Sequence, residues 1–195
     1  MIHLKRLLIC LLLFIHAGIA AGQNDASVKL KKDLLAAKPD TAKVRLLLDL
    51  SIYYLNSEPE QAKQYGLQAL QLSINLSFQQ GRAKALKNIG SAYYFEGNTI
   101  ATLDYFGQCL QVYDTMGDLN GQAILYNNFG TVYYMNGTDD KALENYFKSL
   151  EIAERIADKA VIASAYSNIG NVYNNKRSSR QWWCARRCAR CLPGA

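Results

Sequence analysis

The chain repeats itself every 40 residues, and that period constrains its fold more than any other feature. Ala83, Ala123 and Ala163 fall in register, as do Asn88, Asn128 and Asn168, then Ile89, Phe129 and Ile169, then Gly90, Gly130 and Gly170, then Tyr93, Tyr133 and Tyr173. Leu86, Tyr126 and Tyr166 share a further position, Gly97 falls on Gly137, and Leu110 falls on Leu70 and Leu150. A fainter first copy starts near Thr41, with Leu46, Tyr53 and Ala62 in register. A unit this short cannot enclose a core alone, so successive copies must bury their apolar faces against one another.

Each copy reads as two helices. From Gly81 to Glu96 the apolar or small residues Ala83, Leu86, Ile89, Gly90 and Tyr93 recur at steps of three and four, which is one helical stripe. Gly97 with Asn98 ends that helix. A second helix is predicted from about Thr99 to Met116, with Leu103, Phe106, Leu110 and Tyr113 on one side, Gly117 as its stop and Asp118 as the N-cap of the next. The following copy repeats the plan: Gly137 breaks, Thr138 caps, and Leu143, Tyr146, Leu150 and Ala153 make the stripe. In the first copy Ser57 is expected to cap and Pro59 to sit in the first turn, where its missing N–H is no loss. Another helix, about Ala26 to Ala37, precedes the array and ends before Pro39. Gly90, Gly130 and Gly170 lie inside helices, where glycine costs ~1 kcal/mol against alanine. A recurring cost of that kind implies a close helix crossing at each of them.

Leu86-x-x-Ile89-Gly90-x-x-Tyr93 and Tyr126-x-x-Phe129-Gly130-x-x-Tyr133, with Ala142 and Tyr146 downstream, resemble the tetratricopeptide-repeat signature, and Tyr166-x-x-Ile169-Gly170-x-x-Tyr173 is the same first helix again. The resemblance covers about Thr41 to Asn175. It departs from the family pattern in its period, which is 40 rather than the usual ~34, in Leu50 where glycine is expected, and in Thr102 at a small-residue position. Longer copies of this kind, and the opening Lys38-Pro39-Asp40-Thr41-Ala42-Lys43-Val44, are similar to the extracytoplasmic regions of Bacteroidetes sensor histidine kinases and nucleotide cyclases. The resemblance implies an all-α, right-handed superhelical solenoid of antiparallel helix pairs, about three and a half units plus the N-terminal helix. It further implies a concave face, lined by first helices, that holds a protein or peptide ligand. On that face it places Asn88, Asn128 and Asn168, whose amides can donate to and accept from a ligand backbone at once, with Lys84, Lys87, Tyr94, Asn127, Tyr134 and Asn171 as neighbours. The alternative for these asparagines is a bond to the adjacent helix or to water. Tyr93, Tyr133 and Tyr173 are expected in the core, their rings filling space between copies.

Composition narrows the function. Of 22 basic residues, eight lie at the two ends (Lys5, Arg6, Lys176, Arg177, Arg180, Arg186, Arg187 and Arg190), which leaves 14 against 16 acids between Gln23 and Asn175. That body carries no excess of cations for a phosphate backbone, so no nucleic-acid partner is expected. Both histidines, His3 and His16, and Cys10 precede residue 23, and Cys109 is the one cysteine of the body. Histidine-based acid–base catalysis, a Ser/His or Cys/His pair and a His-ligated metal therefore have no residues to work with. The expectation is no enzyme, no metal and no cofactor. Cys109 reads as inert packing, and Asp139-Asp140 as acids at a helix N-terminus rather than calcium ligands.

The ends differ from the body. Lys5 and Arg6, the apolar run Leu7 to Ile15 and the small residues Ala17 to Gly22 read as a secretory signal peptide cleaved after Ala20 or Gly22, which implies a secreted or periplasmic protein. The domain plan is then a signal over 1–22, an N-terminal helix and linker over 23–40, the array over 41–175 and an atypical tail over 176–195. The tail concentrates Trp182, Trp183, Cys184, Cys188 and Cys191 among arginines, with no acid. Three thiolates do not complete a four-ligand zinc site. A shift of 40 demands a glycine at 177 and a small residue at 182, where the chain has Arg177 and Trp182, so the tail is expected to be disordered or out of frame. Two functions are thus open: a peptide-binding scaffold, or the N-terminal sensor fragment of a membrane-bound kinase or cyclase, touching the membrane only through a missing C-terminal segment.

Overall fold

The structure, a computed structural model, describes residues 26–190, with side chains for 26–175. Among the described residues eight helices follow one another: α1 over 26–36, α2 Thr41–Tyr54, α3 Pro59–Asn75, α4 Gln79–Phe95, α5 Thr99–Met116, α6 Leu119–Met135, α7 Asp139–Arg155 and α8 Lys159–Arg190. No strand occurs among the described residues. The predicted signal segment lies outside them. The last helix runs on to Arg190 instead of stopping near Asn174, and residues 191–195 lie outside the description. The chain divides into two compact units, Met1–Glu96 and Gly97–Ala195.

Local chemistry sets most of the helix ends. Asp40 caps α2, its carboxylate accepting from Ala42 N at 2.8 Å and Lys43 N at 3.1 Å. Asn98 caps α5 through Ala101 N, and Asp118 caps α6 through Gly121 N. Gly117 ends α5 at φ +65, a left-handed conformation that glycine adopts without strain. At the same register of the neighbouring copies the chain places Ser77 and Ala157, which take φ +53 and +57 in spite of their Cβ atoms. Two expected caps are corrected. Ser57 does not cap α3: Glu58 holds the N-cap position with no side-chain bond, and Pro59 takes the first turn. Thr138 stands at the N-cap of α7 but accepts nothing from the helix; its hydroxyl donates back to Tyr133 O at 2.9 Å.

In the first unit α2, α3 and α4 pack around Val44, Leu47, Leu48, Ala69 and Ala85 at one end and Leu50, Tyr54, Ala62 and Ala92 at the other. Leu30 and Leu34 of α1 lie against the second cluster. In the second unit α6, α7 and α8 enclose Ala142, Tyr146, Leu150, Ala165, Ile169 and Val172. Buried hydroxyls tie helix pairs together: Ser51 donates to Ala62 O at 2.9 Å and Ser149 to Ala123 O at 2.7 Å.

The repeated glycine has different surroundings at Gly130 and at Gly170. A Cβ on Gly130 would lie 2.5 Å from two ring carbons of Tyr146, so the close crossing is real there. In the first copy the bulk has changed helices: Leu50 stands at the glycine register, wholly buried, while α3 carries Gly66 where α7 carries Tyr146, and a Cβ on Gly66 would meet Ile89 at 2.7 Å. Gly170 departs from expectation. Nothing lies within 4 Å of a Cβ built there, because among the described residues no helix follows α8 to cross it. For the same reason Tyr173 is half exposed rather than core.

Candidate functional site

Three of the residues singled out from the sequence meet in one cleft. It occupies about 410 Å³ on the face formed by the first helices α2 and α4. Leu48, Ile52 and Phe78 give it an apolar floor, Gly81 leaves room for the Phe78 ring, and Arg45, Asp49, Gln80, Lys84, Lys87 and Asn88 provide the polar wall. Period 3.6 explains the grouping: 45, 48, 49 and 52 lie along one face of α2, and 80, 81, 84, 87 and 88 along one face of α4. Three cations face one carboxylate, so the cleft is electropositive although the body as a whole is not. Ile52 is 55% exposed. The sequence reading found Lys84, Lys87 and Asn88 and missed Arg45, Asp49, Ile52 and Phe78. The α2 residues belong to the copy with the faintest register, and Phe78 lies in a turn.

Asn88 belongs to the wall of this cleft rather than to its opening. It is 2% exposed, and its Nδ2 donates to Leu48 O, 3.4 Å away on α2. Asn168 makes a comparable link one helix pair back: its Nδ2 donates to Asn127 Oδ1 at 3.0 Å, and Asn127 Nδ2 in turn donates to Ser164 Oγ at 3.4 Å. The amide ladder therefore includes helix-to-helix bonds, the alternative left open by the sequence. Asn128 is half-buried, and Asn171 is exposed on α8. Tyr134 packs partly against the α7–α8 core, and Tyr94 is half-buried with its ring edge-on to Phe95, centroids 5.6 Å apart.

Elsewhere the polar chemistry is structural. Lys63 pairs with Glu60 at 2.6 Å and Glu96 at 3.0 Å and lies over the Tyr93 ring at 4.6 Å. Its ammonium is held charged above the ordinary lysine range, first by the bond to Glu60, against the cost of partial desolvation. Cys109 is fully buried; the neighbouring Tyr113 hydroxyl is pushed well above the usual phenol range, chiefly by burial. Among the described residues no cluster of three or more His, Cys, Asp or Glu could hold a metal, and no helix is long and apolar enough to cross a membrane.

No protein-family model and no curated protein matches the sequence. Solved structures do match. BtubC (BKLC) from P. vanneervenii superposes with a TM-score of 0.68 at 18% identity, over 87% of this chain and 72% of that one. A Signal Transduction ATPase with Numerous Domains that has a tetratricopeptide repeat sensor, from Pyrococcus horikoshii, also gives 0.68 at 17% identity, over 78% of this chain; the chain spans 24% of that protein. The TPR domain of Arabidopsis FLU gives 0.52 at 21% identity, over 65% of this chain and 98% of that domain. At these identities the likeness speaks for the fold, which is an all-α helical-repeat solenoid of the tetratricopeptide type.

Proposed function

We propose that this chain is a non-catalytic binding scaffold whose first unit takes an extended acidic peptide across the α2–α4 face. The observation that carries the reading is the cleft itself: an apolar floor of Leu48, Ile52 and Phe78 beneath Arg45, Lys84 and Lys87, with Asp49 the only acid on its wall. An apolar ligand side chain would be desolvated on the floor, and a ligand carboxylate would meet the cations in a charge-assisted bond. Asn88 fixes α4 against α2 and so holds the two walls in place. The test is fluorescence anisotropy with labelled acidic, neutral and basic peptides of matched length and one central leucine. The acidic peptide should bind tightest, weaken as salt rises, and lose about tenfold, or ~1.4 kcal/mol, on Lys84→Glu. Equal binding of all three peptides would remove the reading.

The signal-like segment Leu7 to Ile15 supports placing the scaffold outside the cytoplasm, where N-terminal sequencing of exported protein should begin at Ala21 or Gln23. A second reading is the sensor fragment of a larger membrane-bound signalling protein; its sensor part is supported by the Pyrococcus neighbour, a signal-transduction ATPase that has a tetratricopeptide repeat sensor and of which this chain spans 24%.

A further inference from the structure

The cleft on the α2–α4 face has an order along its length, and that order sets a pattern for what lies in it. Asn88 donates to Leu48 O, which puts position 88 of α4 level with position 48 of α2. The two helices run the same way: Val44, Leu47 and Leu48 share a cluster with Ala85, whereas Leu50 and Tyr54 share the next with Ala92. Position along the cleft therefore follows residue number, at a helix rise of ~1.5 Å per residue. Lys84, Arg45 and Lys87 form a cationic belt within ~6 Å before the Asn88–Leu48 level. Phe78 and Ile52 flank that belt, each ~10 Å from its middle, Phe78 towards the helix N-termini and Ile52 towards the C-termini. Phe78 is held at its end by packing against the Val44 cluster.

We infer that the ligand of this cleft is a peptide in the polyproline II conformation with the pattern apolar-x-x-acidic-x-x-apolar, an inference that rests on the acidic-peptide reading above. Two features select it. Polyproline II advances ~3.1 Å per residue and turns once in three, so residues three apart point the same way and stand ~9 Å apart. That matches the step from Phe78 to the cations and the step from the cations to Ile52. A β-strand would point residues three apart to opposite sides, and an α-helix would bring them within ~5 Å. The second feature is that the walls are helices. Backbone groups inside α2 and α4 are spent on their own turns, and Asn88 Nδ2 is given to Leu48 O. A polyproline II ligand keeps its backbone solvated and asks for no main-chain partner there. Its central carboxylate would meet Arg45, Lys84 and Lys87, and its outer apolar side chains would cover Phe78 and the largely exposed Ile52.

The probe is a set of capped, labelled peptides titrated into the full-length chain and read by fluorescence anisotropy. Each carries one central glutamate and two leucines at equal length and charge, with one, two or three alanine spacers on either side of the glutamate. The two-spacer peptide should bind at least tenfold tighter than the other two. Proline in its spacers should tighten it about threefold further by removing freedom from the unbound peptide. Ile52→Ser should cost the two-spacer peptide about fivefold, with the circular dichroism spectrum retained and the other two peptides unaffected. Equal affinity at all three spacings, with the acidic preference kept, overturns the inference and leaves the acidic-peptide reading standing. Weaker binding with proline spacers also overturns it, because the bound chain is then not polyproline II. Loss of the acidic preference itself removes both.

Discussion

One substitution, made at two equivalent positions, should act in opposite directions. Gly130→Ala places a methyl 2.5 Å from Cδ1 and Cε1 of Tyr146 and 2.9 Å from its Cγ. That ring is 2% exposed and rooted on the buried face of α7, so it has no room to swing aside and α7 must shift. Overpacking of this kind costs ~1–3 kcal/mol. Three contacts at or below 2.9 Å, with ring carbons that cannot move, put Gly130 at the upper end of that range. Against this, removing glycine from a helix interior gains ~1 kcal/mol, which leaves a net destabilisation of about 2 kcal/mol. At Gly170 a Cβ meets nothing within 4 Å, so the helix-propensity gain stands alone and Gly170→Ala should stabilise by up to ~1 kcal/mol. The two variants should therefore differ by ~3 kcal/mol. Urea unfolding followed at 222 nm measures both on the same chain, with a second probe such as tyrosine fluorescence to establish whether repeats unfold together. If both substitutions stabilise, the crossing at Gly130 is not close, and the account of why glycine recurs inside these helices is wrong.

Ser77→Gly and Ala157→Gly should each stabilise by ~0.5–1 kcal/mol, because both residues hold a left-handed conformation that costs an L side chain ~1–2 kcal/mol, partly offset by the chain entropy of glycine; thermal unfolding that shifts downward would contradict this. Asn88→Ala should lower stability by about 1 kcal/mol in urea titrations through loss of its bond to Leu48 O, with peptide affinity falling only as far as the cleft walls loosen. Unchanged stability together with abolished binding would return Asn88 to a ligand-facing role.

How much of this was legible in the sequence depended on whether a residue's role is local. Asn98, Gly117 and Asp118 mark helix ends by their own backbone and side-chain preferences, and α5 runs from Thr99 to Met116 as expected. Thr138 misled because its hydroxyl had two acceptable uses, and the carbonyl of Tyr133 won over the helix N-terminus. Ser77 and Ala157 were invisible: the turn geometry is inherited by register from the copy with Gly117, while the residues themselves argue against it. Gly130 and Gly170 look identical in sequence and differ because, among the described residues, only Gly130 has a helix across from it. The cleft was half legible for the same reason. Lys84, Lys87 and Asn88 sit on a strongly repeated helix, whereas Arg45, Asp49 and Ile52 become neighbours only once α2 and α4 lie side by side.

Among the described residues, the polar links between first helices span about one repeat: Asn88 to Leu48, 40 residues away, and Asn168 to Asn127, 41 residues away. A chain wired this way has no long-distance fastening among these bonds, and that bears on how it would respond to being pulled. Tension on the ends would not have to break the molecule at once. It could strip one copy at a time, each rupture freeing about 40 residues, or roughly 140 Å of extended chain. The force trace would be a series of similar, modest steps, as from a spring that lengthens under load and shortens again as the copies re-dock.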